Sequence, residues 1–158
     1  MTRELVAPDE AATRRIGAAL ARALEPGAVI HLHGELGAGK TTLARALITT
    51  LAPGARVKSP TYTLIESYPD ATPPIHHLDL YRIADPGELE FLGLRELADE
   101  GAAMLVEWPQ RGADRIPAPD VTIALALDAA GTGRHIVLAP RTERGRRIAA
   151  RFQAAQPT

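Results

Sequence analysis

The stretch GELGAGKT, residues 34–41, has the residue types and spacing of a phosphate-binding loop. It fits the pattern G-x-x-x-x-G-K-[ST], in which glycines let backbone N–H groups turn towards phosphate oxygens. Lys40 would reach the terminal phosphates of a nucleotide, and the hydroxyl of Thr41 would bind Mg²⁺. The stretch therefore predicts a site for a nucleotide with Mg²⁺.

The lysine at position 40 strengthens this prediction. The chain contains 16 arginines but only 2 lysines, Lys40 and Lys58, so arginine is its usual cation. A compact ammonium group fits between phosphates in such a loop, whereas the planar guanidinium group of arginine is wider. The composition therefore indicates that position 40 requires an ammonium group.

Hydrolysis of a nucleotide would also need an acid near the metal and a group that orients water. Glu107 follows the apolar run AAMLV, and Asp79 lies in the stretch IHHLDLYR. For each, the alternative is an acid that ends a strand and faces solvent. The stretch SPTYT, residues 59–63, could be a switch that senses the γ-phosphate or an ordinary proline turn. Trp108 could be a site residue or an anchor in the core or an interface.

The two adjacent histidines of IHHLDLYR raise the question of a metal site. Successive side chains of a strand point to opposite faces, so His76 and His77 could not bind one metal together. His77, Asp79 and Tyr81 would share a face with a spacing of about 6.5 to 7 Å, which is too wide for a compact structural metal site. We therefore interpret the stretch as a strand that presents Asp79 to the nucleotide site, while the histidines pack or form local hydrogen bonds.

The elements around these groups alternate between strands and helices. The patterns predict helices at residues 9–24, 40–51 and 142–152, and another that begins with a capping box at Asp85. Strands are predicted at residues 28–33, 63–68, 75–81 and 102–108, with a hairpin formed by residues 121–127 and 134–138. This order predicts an α/β fold: a three-layer, P-loop NTPase-like sheet with a mostly parallel core and antiparallel strands added at its edges. We expect one domain over residues 1–158.

Composition narrows the class of protein further. The 158 residues are 46% hydrophobic, which is enough to bury a core, and the net charge of -1 argues against a dedicated nucleic-acid binder. The absence of cysteine excludes disulfides and thiolate metal sites, and no apolar run approaches the roughly 20 residues of a membrane span. We expect a cytoplasmic protein without a membrane partner. The chain also lacks an N-K-x-D element for guanine and an LSGGQ-type signature, which leaves a small NTPase or a small-molecule kinase.

Four stretches in this order, GELGAGKTT, KSPTYTLIESY, HHLDLYRIADPGELEFLGL and LVEWPQRG, resemble the TsaE family. This family is the P-loop ATPase component of bacterial tRNA threonylcarbamoyladenosine biosynthesis, and the resemblance spans about residues 8–134. It implies a cytosolic ATPase that binds ATP or ADP with Mg²⁺ and works with the proteins TsaB and TsaD. In that complex TsaD transfers the threonylcarbamoyl group, ATP hydrolysis resets the complex, and the ATPase meets tRNA only indirectly.

The resemblance also implies roles for individual residues. Lys40, Asp79 and Glu107 would be catalytic, and Thr41 and Glu107 would hold the magnesium ion. Glu10 and Arg134 fall where family members approach the base or the ribose. The positions that match the phosphate contacts of the family are Gly37, Ala38, Gly39, Lys40, Thr41 and Thr42.

Three functions remain open from the sequence. The first is an ATPase that is slow alone and stimulated by partners. The second is a stand-alone small-molecule kinase, in which His77, Asp79 and Tyr81 hold an acceptor hydroxyl. The third is a regulatory nucleotide-binding module that does not turn over. The arginine-rich segment at residues 141–151 could contact tRNA or a partner, or could form a solvated helix face.

Overall fold

The computed structural model describes residues 1–99 and 101–155. These residues form a sheet of seven strands with helices packed against it. The strands are β1 (Arg3–Ala7), β2 (Val29–His33), β3 (Ile65–Tyr68), β4 (Ile75–Asp79), β5 (Ala103–Glu107), β6 (Val121–Leu127) and β7 (Arg134–Pro140). The α-helices are α1 (Glu10–Ala23), α2 (Lys40–Leu51), α3 (Leu94–Asp99) and α4 (Glu143–Ala155). Short 3₁₀ helices occupy Pro86–Leu92, Pro109–Arg111 and Ala113–Arg115.

The sheet has the order β1-β7-β6-β2-β5-β4-β3. Strands β6, β2, β5 and β4 are parallel to their neighbours in this group, whereas β3 joins one edge and β7 and β1 the other in antiparallel pairs. Every residue of β4 and β5 is buried, as is typical of parallel strands covered on both faces. The predicted α/β fold, with a mostly parallel core and antiparallel edges, is confirmed.

Alternate side chains of β5 separate the core into two layers. Ala103 and Leu105 belong to the apolar cluster that also contains the buried faces of α1, α2 and α4. Met104 and Val106 belong to a second cluster, which contains Leu89 of the first 3₁₀ helix. The sheet therefore lies between two apolar layers. Successive residues of β4 or β5 face these two layers alternately.

Capping side chains begin α1 and the first 3₁₀ helix. Asp9 caps α1 by accepting a hydrogen bond of 2.8 Å from the Ala12 N–H. Asp85 and Glu88 form the complete capping box that was predicted, although the segment they begin is a 3₁₀ helix rather than an α-helix. Within the described part of the chain, no helix is long and apolar enough to cross a membrane.

Several predicted strand boundaries were wrong. Strand β1 was not predicted, because five residues at a sheet edge carry little periodic signal. Strand β3 begins two residues later than predicted because Leu64 has a left-handed conformation (φ 68°). Strand β4 ends at Asp79, whose Oδ1 accepts a hydrogen bond of 3.1 Å from the Tyr81 N–H, so that Tyr81 lies beyond the strand. The face predicted for His77, Asp79 and Tyr81 therefore exists only for the first two.

The arginines of α4 attach this helix to the end of α1. Arg147 and Arg151 each donate to the carboxylate of Glu25 at 3.0 Å, and Arg151 also donates to the carbonyl of Ala23 at 2.7 Å. These contacts satisfy a carbonyl at the C-terminus of α1, which has no partner within the helix. The face of α4 that carries Arg147 and Arg151 is thus an intramolecular contact rather than a purely solvated surface.

Replacing Glu25 by glutamine is expected to lower the free energy of unfolding by roughly 1 kcal/mol at neutral pH. Hydrogen bonds from Arg147 and Arg151 lower the pKa of Glu25 from 4.5 to about 2. Because the pKa is lower in the folded state, the stabilisation is present above about pH 4.5 and is lost as the pH falls towards 2. Urea denaturation across this range should show the difference between the two proteins shrinking as the pH falls. Asp70→Asn, which changes an exposed carboxylate after β3, is the control; an equal loss in that variant would contradict the prediction.

Candidate nucleotide-binding site

The phosphate-binding loop connects the end of β2 to the first turn of α2. Gly39 occupies the N-cap of α2 with φ 104°, and no side chain caps the helix. The first N–H groups of α2 and the positive end of its dipole therefore remain available to an anion. Gly34 (φ 153°) is required for space as well, because a Cβ atom there would lie 2.6 Å from the Leu125 carbonyl oxygen. The backbone thus has the form that phosphate binding needs.

Lys40 lies inside this site rather than in solvent. Its Nζ donates to the carbonyl of Gly34 and lies 3.7 Å from the ring centre of Trp108. Trp108 has a left-handed conformation (φ 55°) directly after β5, at the N-cap of the 3₁₀ helix that begins at Pro109. Burial lowers the pKa of Lys40, and the negative charges of Glu107 and Asp79 oppose that shift. The structure therefore places the single tryptophan of the chain at the candidate site.

The two candidate acids lie side by side at the carboxyl ends of parallel strands. Asp79 and Glu107 are Cα partners in the β4–β5 register, and both are buried. Glu107 Oε1 accepts a hydrogen bond of 3.1 Å from the hydroxyl of Thr41. Burial raises the pKa of Asp79; the hydrogen bond from the Tyr81 N–H lowers it and the charge of Glu107 raises it. Both acids therefore lie next to the start of α2 rather than in solvent.

The histidines of β4 point to opposite faces, as predicted, and each lies within hydrogen-bond distance of a side chain on a neighbouring strand. His76 Nδ1 lies 2.7 Å from the hydroxyl oxygen of Ser67 on β3. His77 Nε2 lies 2.7 Å from Glu107 Oε2 on β5. The contact between His77 and Glu107 was not predicted from the sequence. The sequence did indicate that His77 and Asp79 share a face of β4, because they are two residues apart. It could not identify β5 as the neighbouring strand, so it could not predict the contact with Glu107.

Two adjoining clefts contain most of the residues that the sequence singled out. A cleft of about 320 Å³ is lined by Lys40, Thr41, Asp79 and Glu107 together with part of the phosphate-binding loop. A second cleft of about 260 Å³ is lined by Glu10 and other residues near the start of α1. The residues that line both clefts are Gly39, Thr42 and Arg134, and Gly37 lines the first. Ala38 is buried and lines neither.

Arg134 lines both clefts, whereas Glu10 lines only the second, which neither of the two acids lines. Arg134 Nη2 donates to the carbonyl of Gly37 at 3.2 Å, which holds the guanidinium group against the loop. Glu10 is exposed at the start of α1, where its carboxylate accepts a hydrogen bond of 2.7 Å from Arg14. A nucleotide with its phosphates on the loop could therefore extend towards Arg134 and Glu10.

The SPTYT stretch forms a turn at the mouth of the larger cleft. The Leu64 N–H donates to the carbonyl of Pro60 at 2.9 Å, and Thr61 lines the cleft. Tyr62 is 82% exposed, and the guanidinium carbon of Arg82 lies 4.6 Å from its ring centre. The structure shows the turn, and a switching role for this segment stays a prediction.

The hydroxyl of Thr41 and the carboxylate of Glu107 fit a magnesium ion. Both supply hard oxygen atoms, and Mg²⁺ commonly takes one or two protein oxygens together with water and phosphate oxygens. Across residues 1–99 and 101–155 there is no group of three or more His, Cys, Asp or Glu side chains placed to hold a metal. The donor set is thus suited to an ion that a bound nucleotide helps to hold.

Comparisons with known proteins identify one family. The family model described as "Threonylcarbamoyl adenosine biosynthesis protein TsaE" matches residues 7–136. The chain is 39% identical over 150 residues to the tRNA threonylcarbamoyladenosine biosynthesis protein TsaE of Haemophilus influenzae, covering 92% of this chain and 94% of that protein. It is 38% identical over 120 residues to the Bacillus subtilis TsaE protein, covering 76% and 73%. The crystal structure of Bacillus subtilis YdiB superposes with a TM-score of 0.82 at 25% identity, covering 98% of this chain and 95% of that chain.

Proposed function

The chain belongs to the TsaE family of threonylcarbamoyl adenosine biosynthesis proteins, and we propose that it serves tRNA threonylcarbamoyladenosine formation as a Mg²⁺-dependent ATPase. The observation that carries this proposal is the contact between Thr41 Oγ1 and Glu107 Oε1 at 3.1 Å. It joins the phosphate-binding loop to an acid at the end of a parallel strand, which is the arrangement that P-loop NTPases use for the metal of a metal–nucleotide complex.

Nucleotide binding would engage the loop and Lys40 first. The uncapped N–H groups of α2 would donate to phosphate oxygens, and Lys40 Nζ would exchange the Gly34 carbonyl for the terminal phosphates. Thr41 and Glu107 would hold Mg²⁺, which neutralises charge that develops on the phosphates during hydrolysis. The ribose and base would lie towards Glu10, Thr42 and Arg134 in the second cleft.

Asp79 is the group that we propose orients the attacking water. It lies next to Glu107, and its Oδ1 is held by the Tyr81 N–H, which fixes the direction of the carboxylate. The water oxygen would form a bond to the γ-phosphorus while the bond from that phosphorus to the bridging oxygen of ADP breaks. Asp79 would accept a hydrogen bond from the water, and the products would be ADP and phosphate.

The partners that we propose are TsaB and TsaD, which would accelerate turnover by ordering the mouth of the cleft. Leu36 and Tyr62 are 65% and 82% exposed, and exposed apolar side chains beside a binding cleft suit a protein partner. The net charge of -1 suits indirect contact with tRNA through that complex. These properties fit a cytoplasmic protein whose ATP hydrolysis resets the complex.

ATP turnover of the protein is expected to be slow alone and several-fold faster when TsaB and TsaD are both present. Phosphate release measured with neither, either and both partners checks this expectation. A full rate without partners, together with no binding to them, would contradict the partner-dependent ATPase. Stoichiometric transfer of phosphate to a sugar or nucleoside would instead identify a small-molecule kinase. A regulatory module would show no turnover, and Glu107→Ala would then leave tRNA modification unchanged.

A further inference from the structure

We propose that His77 is a positioning residue, which fixes the carboxylate of Glu107 in the orientation that binds the metal. This inference rests on the proposed function, because it assigns Glu107 to a metal–nucleotide site. His77 itself would touch neither metal nor nucleotide. Its contribution would be the hydrogen bond from its imidazole to the carboxylate oxygen on the side away from Thr41.

The geometry of neighbouring strands brings the two side chains together. His77 and Leu105 are Cα partners in the β4–β5 register, and Glu107 lies two residues further along β5 on the same face. His77 Nε2 is 2.7 Å from Glu107 Oε2, and the exposed fraction of each side chain is only 2%. A hydrogen bond so well shielded from water restrains the carboxylate more than one at the surface.

The two oxygens of Glu107 have different partners. Oε1 accepts from the hydroxyl of Thr41, and Oε2 lies against His77. A carboxylate only accepts hydrogen bonds, so Nε2 of the imidazole must carry a hydrogen. His77 Nδ1 has no hydrogen-bond partner among the described residues, so its single contact of this kind is with Glu107. The side chain is therefore placed to hold one oxygen of Glu107 while the other faces Thr41.

Removing this contact should weaken metal binding without changing the phosphate-binding loop. Glu107 would keep its charge but could rotate away from Thr41, and Oε2 would lose a buried donor. Donors that orient metal-binding groups typically account for 10-fold to 100-fold in metal affinity. Nucleotide affinity measured without metal should change little, because His77 does not line the cleft that contains Lys40.

The length of the replaced side chain provides the test. In His77→Gln, the amide N–H can reach the position of imidazole Nε2, whereas the shorter amide of His77→Asn lies where Nδ1 was. His77→Asn is therefore the first loss variant, a variant that lacks the hydrogen bond to Glu107. His77→Leu is a second loss variant, which fills the position with an apolar side chain. The matched control is His76→Asn, which changes the neighbouring buried histidine on the opposite face, hydrogen bonded to Ser67 instead of Glu107.

The probe is Mn²⁺, which is titrated into a mixture of the protein and ADP. Electron paramagnetic resonance follows the binding of Mn²⁺, and circular dichroism checks that each variant is folded. ADP binding without metal is followed by the fluorescence of Trp108, the only tryptophan. His77→Asn and His77→Leu are expected to raise the half-saturating Mn²⁺ concentration about 10-fold or more, with His77→Gln and His76→Asn within about 3-fold of wild type. ADP affinity without metal should stay within about 2-fold for all four.

Two results would overturn the inference and leave the ATPase proposal intact. One is wild-type Mn²⁺ affinity in a folded loss variant, and the other is equal weakening in His77→Gln and His77→Asn, which indicates packing instead of a directed hydrogen bond. If the wild-type protein binds neither ADP nor Mn²⁺ with ADP, the proposed function itself is wrong, and the role of His77 is lost with it. Because the comparison between glutamine and asparagine uses two polar side chains, it remains decisive if the leucine variant does not fold.

Discussion

Replacing Lys40 by alanine is expected to lower the ATP hydrolysis rate by about 100-fold or more, both alone and with TsaB and TsaD. Lys40 is the only lysine at the cleft, and its Nζ lies close enough to the loop to move from the Gly34 carbonyl onto a phosphate. Without it, the charge that develops on the γ-phosphate would lose its main protein cation. Phosphate release at saturating ATP and Mg²⁺ measures the effect.

Two further variants separate the charge of Lys40 from its shape. Lys40→Arg keeps the charge, but the wider guanidinium group should not fit between the Gly34 carbonyl and the Trp108 ring, so we expect a loss similar to that of alanine. Lys58→Ala removes the other lysine of the chain, which is exposed, and should leave the rate unchanged. Wild-type turnover in Lys40→Ala would exclude the proposed role of the loop.

The fold could be predicted from the sequence because its signals are local. The buried parallel strands are continuous apolar runs, α1 begins at a capping aspartate, and the glycine-rich loop lies between a strand and a helix. Each of these features depends on residues within one or two turns of each other. The edge strand β1 lacked such a signal, since its pairing with β7 depends on residues about 130 positions away in the chain.

The contacts that the sequence did not predict, both in the candidate site and between α1 and α4, join residues that are distant in the chain. His77 and Glu107 are 30 positions apart, and Glu25 and Arg147 are 122 apart, so neither pair forms a pattern in the sequence. The contact of Lys40 with Trp108 depends on the left-handed turn at Trp108, which nothing in the residue types indicates. Motif spacing therefore singled out the candidate groups, whereas strand register and backbone conformation decide which of them touch.

These contacts also distinguish the roles of the two acids. Glu107 touches both Thr41 and His77, so its carboxylate is held on two sides and suits a fixed metal ligand. The one hydrogen bond that the structure records for the Asp79 carboxylate is the one from the Tyr81 N–H, and the side chain lines the cleft. A carboxylate with an open oxygen at the cleft suits a group that orients water. Variants of the two acids should therefore fail in different ways.

Asp79→Asn is expected to lower turnover by about 100-fold or more while ADP affinity stays within about 3-fold of wild type. Asparagine keeps the oxygen that accepts the Tyr81 N–H but loses the charge that attracts the hydrogen of the attacking water. The half-saturating Mg²⁺ concentration should not rise, in contrast to Glu107→Gln, for which it should rise because a charged ligand is lost. Single-turnover hydrolysis measures the first effect, and Trp108 fluorescence with ADP and increasing Mg²⁺ measures the others. If Asp79→Asn raised the Mg²⁺ requirement as much as Glu107→Gln did, both acids would serve the metal, and another group would have to orient the water.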